Sequence, residues 1–229
     1  MEIAVLLAYS CRILAREGQA DLDLGHVSAR TGAEQVLMKA SGLGLEEARP
    51  GNLVTINLKG QRLSGDRPVH VEYPIHTEIY KARPDVKSVI HTHPPYATML
   101  GSSGRSLQPV SHDALAFTGS IAYFDATPEL ITTEEQGRQV AAALGDKRGL
   151  FIKNHGIVVV GSTVQDACVR AVLLEKAARM QYIAEQFGGV EPINPDMAER
   201  MYREKWSDYH LGHIWEYLVR RVGATETEE

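Results

Sequence analysis

The stretch Ser88-Val89-Ile90-His91-Thr92-His93-Pro94-Pro95 constrains this chain more than any other. In a strand, alternate side chains share a face, so His91 and His93 would stand side by side, close enough to chelate. The two prolines cannot continue a paired strand, which sets the histidines at its carboxyl end. Ordinary strand ends also carry histidines. A metal reading therefore needs a third ligand and a reacting group elsewhere in the chain.

Helical spacing over residues 2–17 predicts a first helix, closed at Gly18. In Leu24-Gly25-His26-Val27-Ser28-Ala29-Arg30, polar His26, Ser28 and Arg30 alternate with apolar or small residues. That is a strand with one polar face, either functional or an exposed edge. Val36, Leu37 and Met38 predict a second strand, and Asn52 to Leu58 with Gln61 to Leu63 a hairpin. Between them, Ser41-Gly42-Leu43-Gly44-Leu45 is a turn whose glycines could bring backbone N–H groups to an anion. Residues 69–82 predict a helix beginning near Pro74, with Glu72 at its amino end, where a carboxylate is favoured and can face a cleft.

Further on, Tyr96 to Leu100 reads as a short helix, Ile121 to Phe124 as a strand, and Thr132 or Thr133 starts a helix reaching about Leu144. Two apolar runs, 149–153 and 156–161, flank Asn154-His155-Gly156, so His155 falls at the tip or shoulder of a hairpin and offers the third imidazole. The longest helix opens at Ser162-Thr163 and closes at Gly188-Gly189. A last helix follows from about Met197. It carries Trp206, Tyr209, Trp215 and Tyr217, an aromatic density that implies packing on the domain body or on a second subunit.

Size bounds the architecture: 229 residues without a Pro/Ser/Gly-rich linker predict one domain over residues 1–222, with 223–229 as a disordered acidic tail. A formal net charge of −5 without a basic cluster excludes nucleic acid and anionic membranes as expected partners. No apolar run approaches the ~20 residues that span a bilayer, and no leader pattern opens the chain, so a cytoplasmic location is expected. Cys11 and Cys168, both in helical patterns, read as buried thiols.

His91, His93 and His155 match a three-imidazole set for a zinc-like ion with an open position, which implies catalysis. Competing three-histidine patterns fail here. Tyr96 and Ala97 stand where a cupin would carry glutamate, Pro94-Pro95-Tyr96 does not suit a metallo-β-lactamase, and His-Glu-x-x-His is absent.

Taken together, Glu72, Arg83-Pro84-Asp85, His91-x-His93-Pro94 and Asn154-His155-Gly156 resemble the class II aldolase/adducin family. The resemblance runs from the first helix to about residue 187, with Gly25-His26-Val27-Ser28 where members often carry Gly-Asn-x-Ser. It implies an α/β fold, a three-layer α/β/α domain around a mainly antiparallel sheet, commonly assembled as a fourfold homotetramer. It also implies His91, His93 and His155 as metal ligands, Glu72 as acid/base, and Tyr209 as similar to a tail tyrosine that some members use for protonation.

One departure bears on substrate. Family aldolases acting on sugar phosphates hold the phosphate with that asparagine, a Thr/Ser-Gly turn and two serines before the glutamate. Here the turn survives as Ser41-Gly42, but the asparagine is His26 and the serines are His70 and Val71. Valine cannot donate a hydrogen bond. His26, Ser28, His70 and the Ser41-Gly42 amides would instead hold a smaller anion such as a carboxylate. The expected function is a divalent-metal-dependent C–C lyase, first a decarboxylase of a non-phosphorylated hydroxylated aromatic acid or 3-oxo acid. Aldol cleavage of a hydroxy-keto compound or sugar phosphate comes second, dehydration or epimerisation third. A non-catalytic adducin-like interaction domain is the alternative from another class. Glu72 would work as acid/base with a pKa raised by partial burial. Zinc is the first choice of ion, with manganese, iron or cobalt also compatible with three imidazoles.

Overall fold

The computed structural model of the chain describes residues 1–206 and 208–226, and of residues 208, 209 and 224–226 the backbone alone. Helix α1 (Ile3–Leu14) leads through a widened turn at Gly18 to strands β1 (His26–Arg30), β2 (Gln35–Met38), β3 (Val54–Asn57) and β4 (Arg62–Ser64). Helix α2 (Tyr73–Ala82), strand β5 (Ser88–Thr92) and helix α3 (Pro95–Ser102) follow. Then come β6 (Ile121–Phe124), α4 (Glu134–Leu144), β7 (Gly149–Ile152) and β8 (Gly156–Gly161), and three helices, α5 (Val164–Gln186), α6 (Pro195–Lys205) and α7 (Asp208–Glu226). The strands form one sheet in the order β4-β3-β2-β1-β5-β8-β7-β6, antiparallel at every pairing except β6 with β7.

The alternation within the central strands decides which side chain meets which layer. Ile157 and Val159 of β8 enter one core, with α1, α3, α5 and α7, whereas Val158 and Val160 enter the other, with α2 and α4. Period two is the reason, since β8 is covered on both faces and needs apolar residues at every position. The expected three-layer α/β/α architecture with a mainly antiparallel sheet is present. Cys11 and Cys168 are buried in the α1/α5 core, as expected.

Three readings change. The polar strand β1 is an inner strand between β2 and β5, which removes the exposed-edge alternative for His26, Ser28 and Arg30. The expected last helix is two, broken at Trp206 (φ −98°, ψ 42°), so that α6 meets the turn at Ala114–Phe117 while α7 packs on α5 and α1. Trp206 and Trp215 are both buried there against the domain's own body, whereas Tyr217 is exposed. Finally, α7 continues through residue 226, so residues 223–226 are helical where a disordered tail was expected. No proline interrupts the propagation of helix hydrogen bonds there. Residues 227–229 lie outside the described residues. Among those described, no helix is long and apolar enough to cross a membrane.

Candidate active site

Neighbouring strands place the histidines. Val27 and Ala29 of β1 face the α5 side, so His26 and Ser28 face α2; Ile90 of β5 faces the α5 side, so His91 faces α2. His26 and His91 are cross-strand partners in the β1–β5 register. His93 follows β5 directly and keeps the same face, with Nε2 3.1 Å from His91 Nε2. His155 arrives from the β7–β8 hairpin, where Asn154 takes the left-handed conformation (φ +57°). Gly156 lets that hairpin close on the strand, because a Cβ there would sit 2.5 Å from His93 Cδ2 and 2.6 Å from the Thr92 carbonyl.

Glu72 caps the amino end of α2 and is buried. Its Oε1 accepts the Ile131 amide at 2.8 Å and lies 3.4 Å from His155 Nε2. Its Oε2 lies 3.7 Å from both His26 Nε2 and His91 Nε2. The structure thus gathers Glu72, His91, His93 and His155 into one centre, with His26 beside it. His70 lies against His26, ring centroids 3.9 Å apart and the planes tilted by 49°, and its Nδ1 accepts the Glu72 amide at 3.5 Å.

Could these residues hold an ion? His91, His93 and His155 offer nitrogens all within 4.8 Å of one another. Acceptors behind two of them set the tautomer. His91 Nδ1 donates to the Ile157 carbonyl at 3.0 Å and His93 Nδ1 to Asp21 Oδ2 at 3.1 Å, leaving both Nε2 lone pairs facing inward. Both ring nitrogens of His155 are buried without a hydrogen-bond partner. A buried imidazole with nothing to bond, beside two lone pairs, fits a divalent cation.

Burial drives His26 and His91 well below the ordinary imidazole pKa and lowers His93, so the site presents neutral rings. His70 is lowered to about 4 by burial and by Lys39. Glu72 departs from the expectation of a raised pKa. Burial works upward, but the close approach of the His155, His26 and His91 rings outweighs it, and the carboxyl is held below its usual range. Glu72 is therefore held as the carboxylate.

Two expected substrate contacts are not where the spacing put them. Ser28 is fully buried behind His26, bonded to His76 Nδ1 at 2.6 Å and Tyr80 Oη at 2.8 Å, because the polar face of an inner strand is covered by α2. Ser41 spends its amide on the Pro68 carbonyl, so the turn retains only the exposed Gly42 amide for an anion. The side chain of Tyr209 lies outside the described residues. Unanticipated are Asp21, His76, Tyr80 and the Ile131 amide. Spacing of four along α2 from Glu72 to His76 to Tyr80 was a usable signal, since such residues share a helix face.

The model of the Class II Aldolase and Adducin N-terminal domain matches residues 5–182. The chain belongs to the class II aldolase and adducin family. It is 28% identical over 233 residues to a 3,4-dihydroxyphthalate decarboxylase of Rhodococcus jostii, with 96% of each chain covered. Decarboxylase NovR of Streptomyces niveus is 31% identical over 172 residues, 72% of this chain and 64% of that protein. The solved L-fuculose 1-phosphate aldolase of Glaciozyma antarctica superposes with a TM-score of 0.88 at 25% identity, covering 99% of this chain and 90% of that one. Family, fold and relatives together make the chain a class II aldolase-like lyase, with a histidine cluster that could bind a metal ion.

Proposed function

We propose that the chain is a divalent-metal-dependent decarboxylase of a hydroxylated aromatic acid or 3-oxo acid. The observation that carries this reading is the pair of neutral imidazoles, His26 and His70, flanking Glu72 where phosphate-binding family members resemble one another in carrying asparagine and serine. Two neutral N–H donors match a planar carboxylate, and the exposed Val71 contributes none. Relatives named as decarboxylases, one aligned over nearly the whole chain, support the same choice.

In this reading His91, His93 and His155 hold the ion, zinc first and manganese, iron or cobalt after it, with Asp21 and the Ile157 carbonyl orienting two of the rings. When bound, the ion supplies Lewis-acid stabilisation of the electrons left by the departing carbon dioxide. Glu72, ionised at the start, takes the proton of the substrate hydroxyl and returns it to the carbon that lost carbon dioxide, so protons balance over the cycle. The Ile131 amide holds Oε1 while Oε2 faces His26 and His91.

Aldol cleavage is the second reading, favoured by the retained Ser41-Gly42 turn and by the fit to an L-fuculose 1-phosphate aldolase. The complete imidazole set with its orienting acceptors weighs against a non-catalytic adducin-like domain. Purified protein loaded with zinc or manganese is to be offered 3,4-dihydroxyphthalate, hydroxylated benzoates and fuculose 1-phosphate. Carbon dioxide in step with loss of one carboxylate is the expected result. Cleavage of the sugar phosphate alone would replace this proposal by the second. Gel filtration tests the homotetramer implied by the family resemblance.

A further inference from the structure

Behind His26 runs a buried polar chain of His76, Ser28 and Tyr80 that the chemistry above does not use. His26 Nδ1 lies 2.6 Å from His76 Nε2, His76 Nδ1 lies 2.6 Å from Ser28 Oγ, and Ser28 Oγ lies 2.8 Å from Tyr80 Oη. All four side chains are buried, His26, Ser28 and His76 completely and Tyr80 to within 1%. Each of the three links carries one proton, so the chain has two directions, and its ends choose between them.

At the inner end, the Tyr80 oxygen meets Ser28 Oγ at 2.8 Å. Among the described residues, Ser28 Oγ is the acceptor within reach of the phenolic proton. The opposite direction would strand that proton in the core, at the full desolvation penalty of an unpaired donor. At the outer end, His26 Nε2 is buried without a partner, 3.7 Å from the Glu72 carboxylate, which favours an N–H over a lone pair. Both ends agree. The phenol donates to Ser28, Ser28 to His76 Nδ1, and His76 Nε2–H to His26 Nδ1, which leaves the His26 proton on Nε2.

We propose that Tyr80, Ser28 and His76 are positioning residues that fix His26 as its Nε2–H tautomer, an aimed donor for the substrate's carboxylate and not a metal ligand. The consequence separates two overlapping groups able to hold an ion, His91/His93/His155 and His26/Glu72/His91. In the second, the required His26 lone pair is occupied by a proton. His91 and His93 are set the other way, protonated on Nδ1, so cross-strand partners His26 and His91 present a donor and a lone pair to the same space. The carboxylate as acceptor rests on the decarboxylase reading; the tautomer does not.

The test begins with zinc-loaded protein labelled with nitrogen-15 in histidine, His26 being assigned by the signals lost in His26→Asn. Long-range proton–nitrogen correlation should show His26 and His76 each protonated on Nε2 and bare on Nδ1. A His26 proton on Nδ1, or a charged ring, overturns the proposal without any variant needing to fold. Calorimetry then compares 3,4-dihydroxybenzoate with catechol, which differ only by the carboxylate, on wild type, His76→Leu and His76→Gln. Leucine should cost about 10- to 100-fold in affinity for the acid and less than about twofold for catechol, since a donor to a charged acceptor is lost. Glutamine, whose amide can donate to His26 and accept from Ser28, should restore most of that loss. Equal losses for both ligands would make His76 merely structural and end the proposal. Zinc should remain at one per chain in wild type and in His26→Asn; two per chain, or loss in the variant, would restore His26 as a ligand. If neither ligand binds, the hydroxyaromatic-acid reading fails while the nitrogen spectra still decide the relay.

Discussion

Replacing Asp21 with alanine should weaken zinc binding without unfolding the site. The Asp21 carboxylate accepts the His93 Nδ1 proton at 3.1 Å, which pins the ring and keeps the Nε2 lone pair beside that of His91. Orienting partners of this kind are worth about 10- to 100-fold in metal affinity, or roughly 1.4–2.8 kcal/mol. Asp21 is 42% exposed and shares its oxygens with water, whereas His93 is 16% exposed, so the effect belongs at the lower end, about 10- to 30-fold. His91 keeps its own acceptor, the Ile157 carbonyl, and the cluster should survive. Competition against a chromophoric chelator at pH 7.5 reads the affinity directly. Asp21→Asn, which retains an acceptor oxygen, should fall between. Asp23→Ala is the control, because Asp23 is bonded to Lys39 through its backbone carbonyl. An Asp21→Ala affinity indistinguishable from wild type would refute the orienting role.

Glu72→Gln should retain one metal per chain and lose about 10²- to 10⁴-fold in turnover, as expected for removal of a general acid/base; His93→Ala should lose both. Gly156→Ala drives a Cβ against the Thr92 carbonyl and His93, so we expect a lowered thermal midpoint, about 1–3 kcal/mol of lost stability, and weaker metal binding. Glu175 of α5 accepts the Tyr96 and Ala97 amides at the start of α3, just beyond His93, at 3.1 and 2.8 Å. Its removal in Glu175→Ala leaves buried N–H groups and should cost about 1–3 kcal/mol in urea unfolding. Acid should destabilise the metal-free protein earlier than carboxylates would require. Burial lowers His70 to about 4 and His76 to about 3 in the folded chain, against an ordinary 6.5, so below pH 6.5 the unfolded chain binds protons that the folded one refuses. Between pH 7 and pH 5 these two residues alone should remove about 4 kcal/mol, at 1.36 kcal/mol per unit for each ring. Glu72 adds no slope there, because its carboxyl is ionised above pH 5 in both states. A flat stability profile over that range would contradict the burial of neutral imidazoles.

What could be read from residue order was what near neighbours decide. The paired histidines at the end of β5, the hairpin carrying His155 and the position of Glu72 before Pro74 follow from strand alternation, turn chemistry and helix starts, each set within a few residues. The same alternation contained the two cores of β8, and the spacing of Glu72, His76 and Tyr80 contained the shared face of α2. Tertiary structure decided the rest. Ser28 and His26 carry the same polar pattern on an edge strand or an inner one; only pairing with both β2 and β5, and the covering by α2, made Ser28 part of the core. Asp21 and the Ile131 amide lie in irregular segments with no periodicity to announce them, 72 and 59 residues from the groups they hold. The protonation state of Glu72 and the tautomers of its histidines depend on burial and on which acceptor stands behind each ring. Residue types and spacing are local properties of a chain, whereas desolvation and hydrogen-bond direction are properties of a surrounding that exists only once distant segments have packed together.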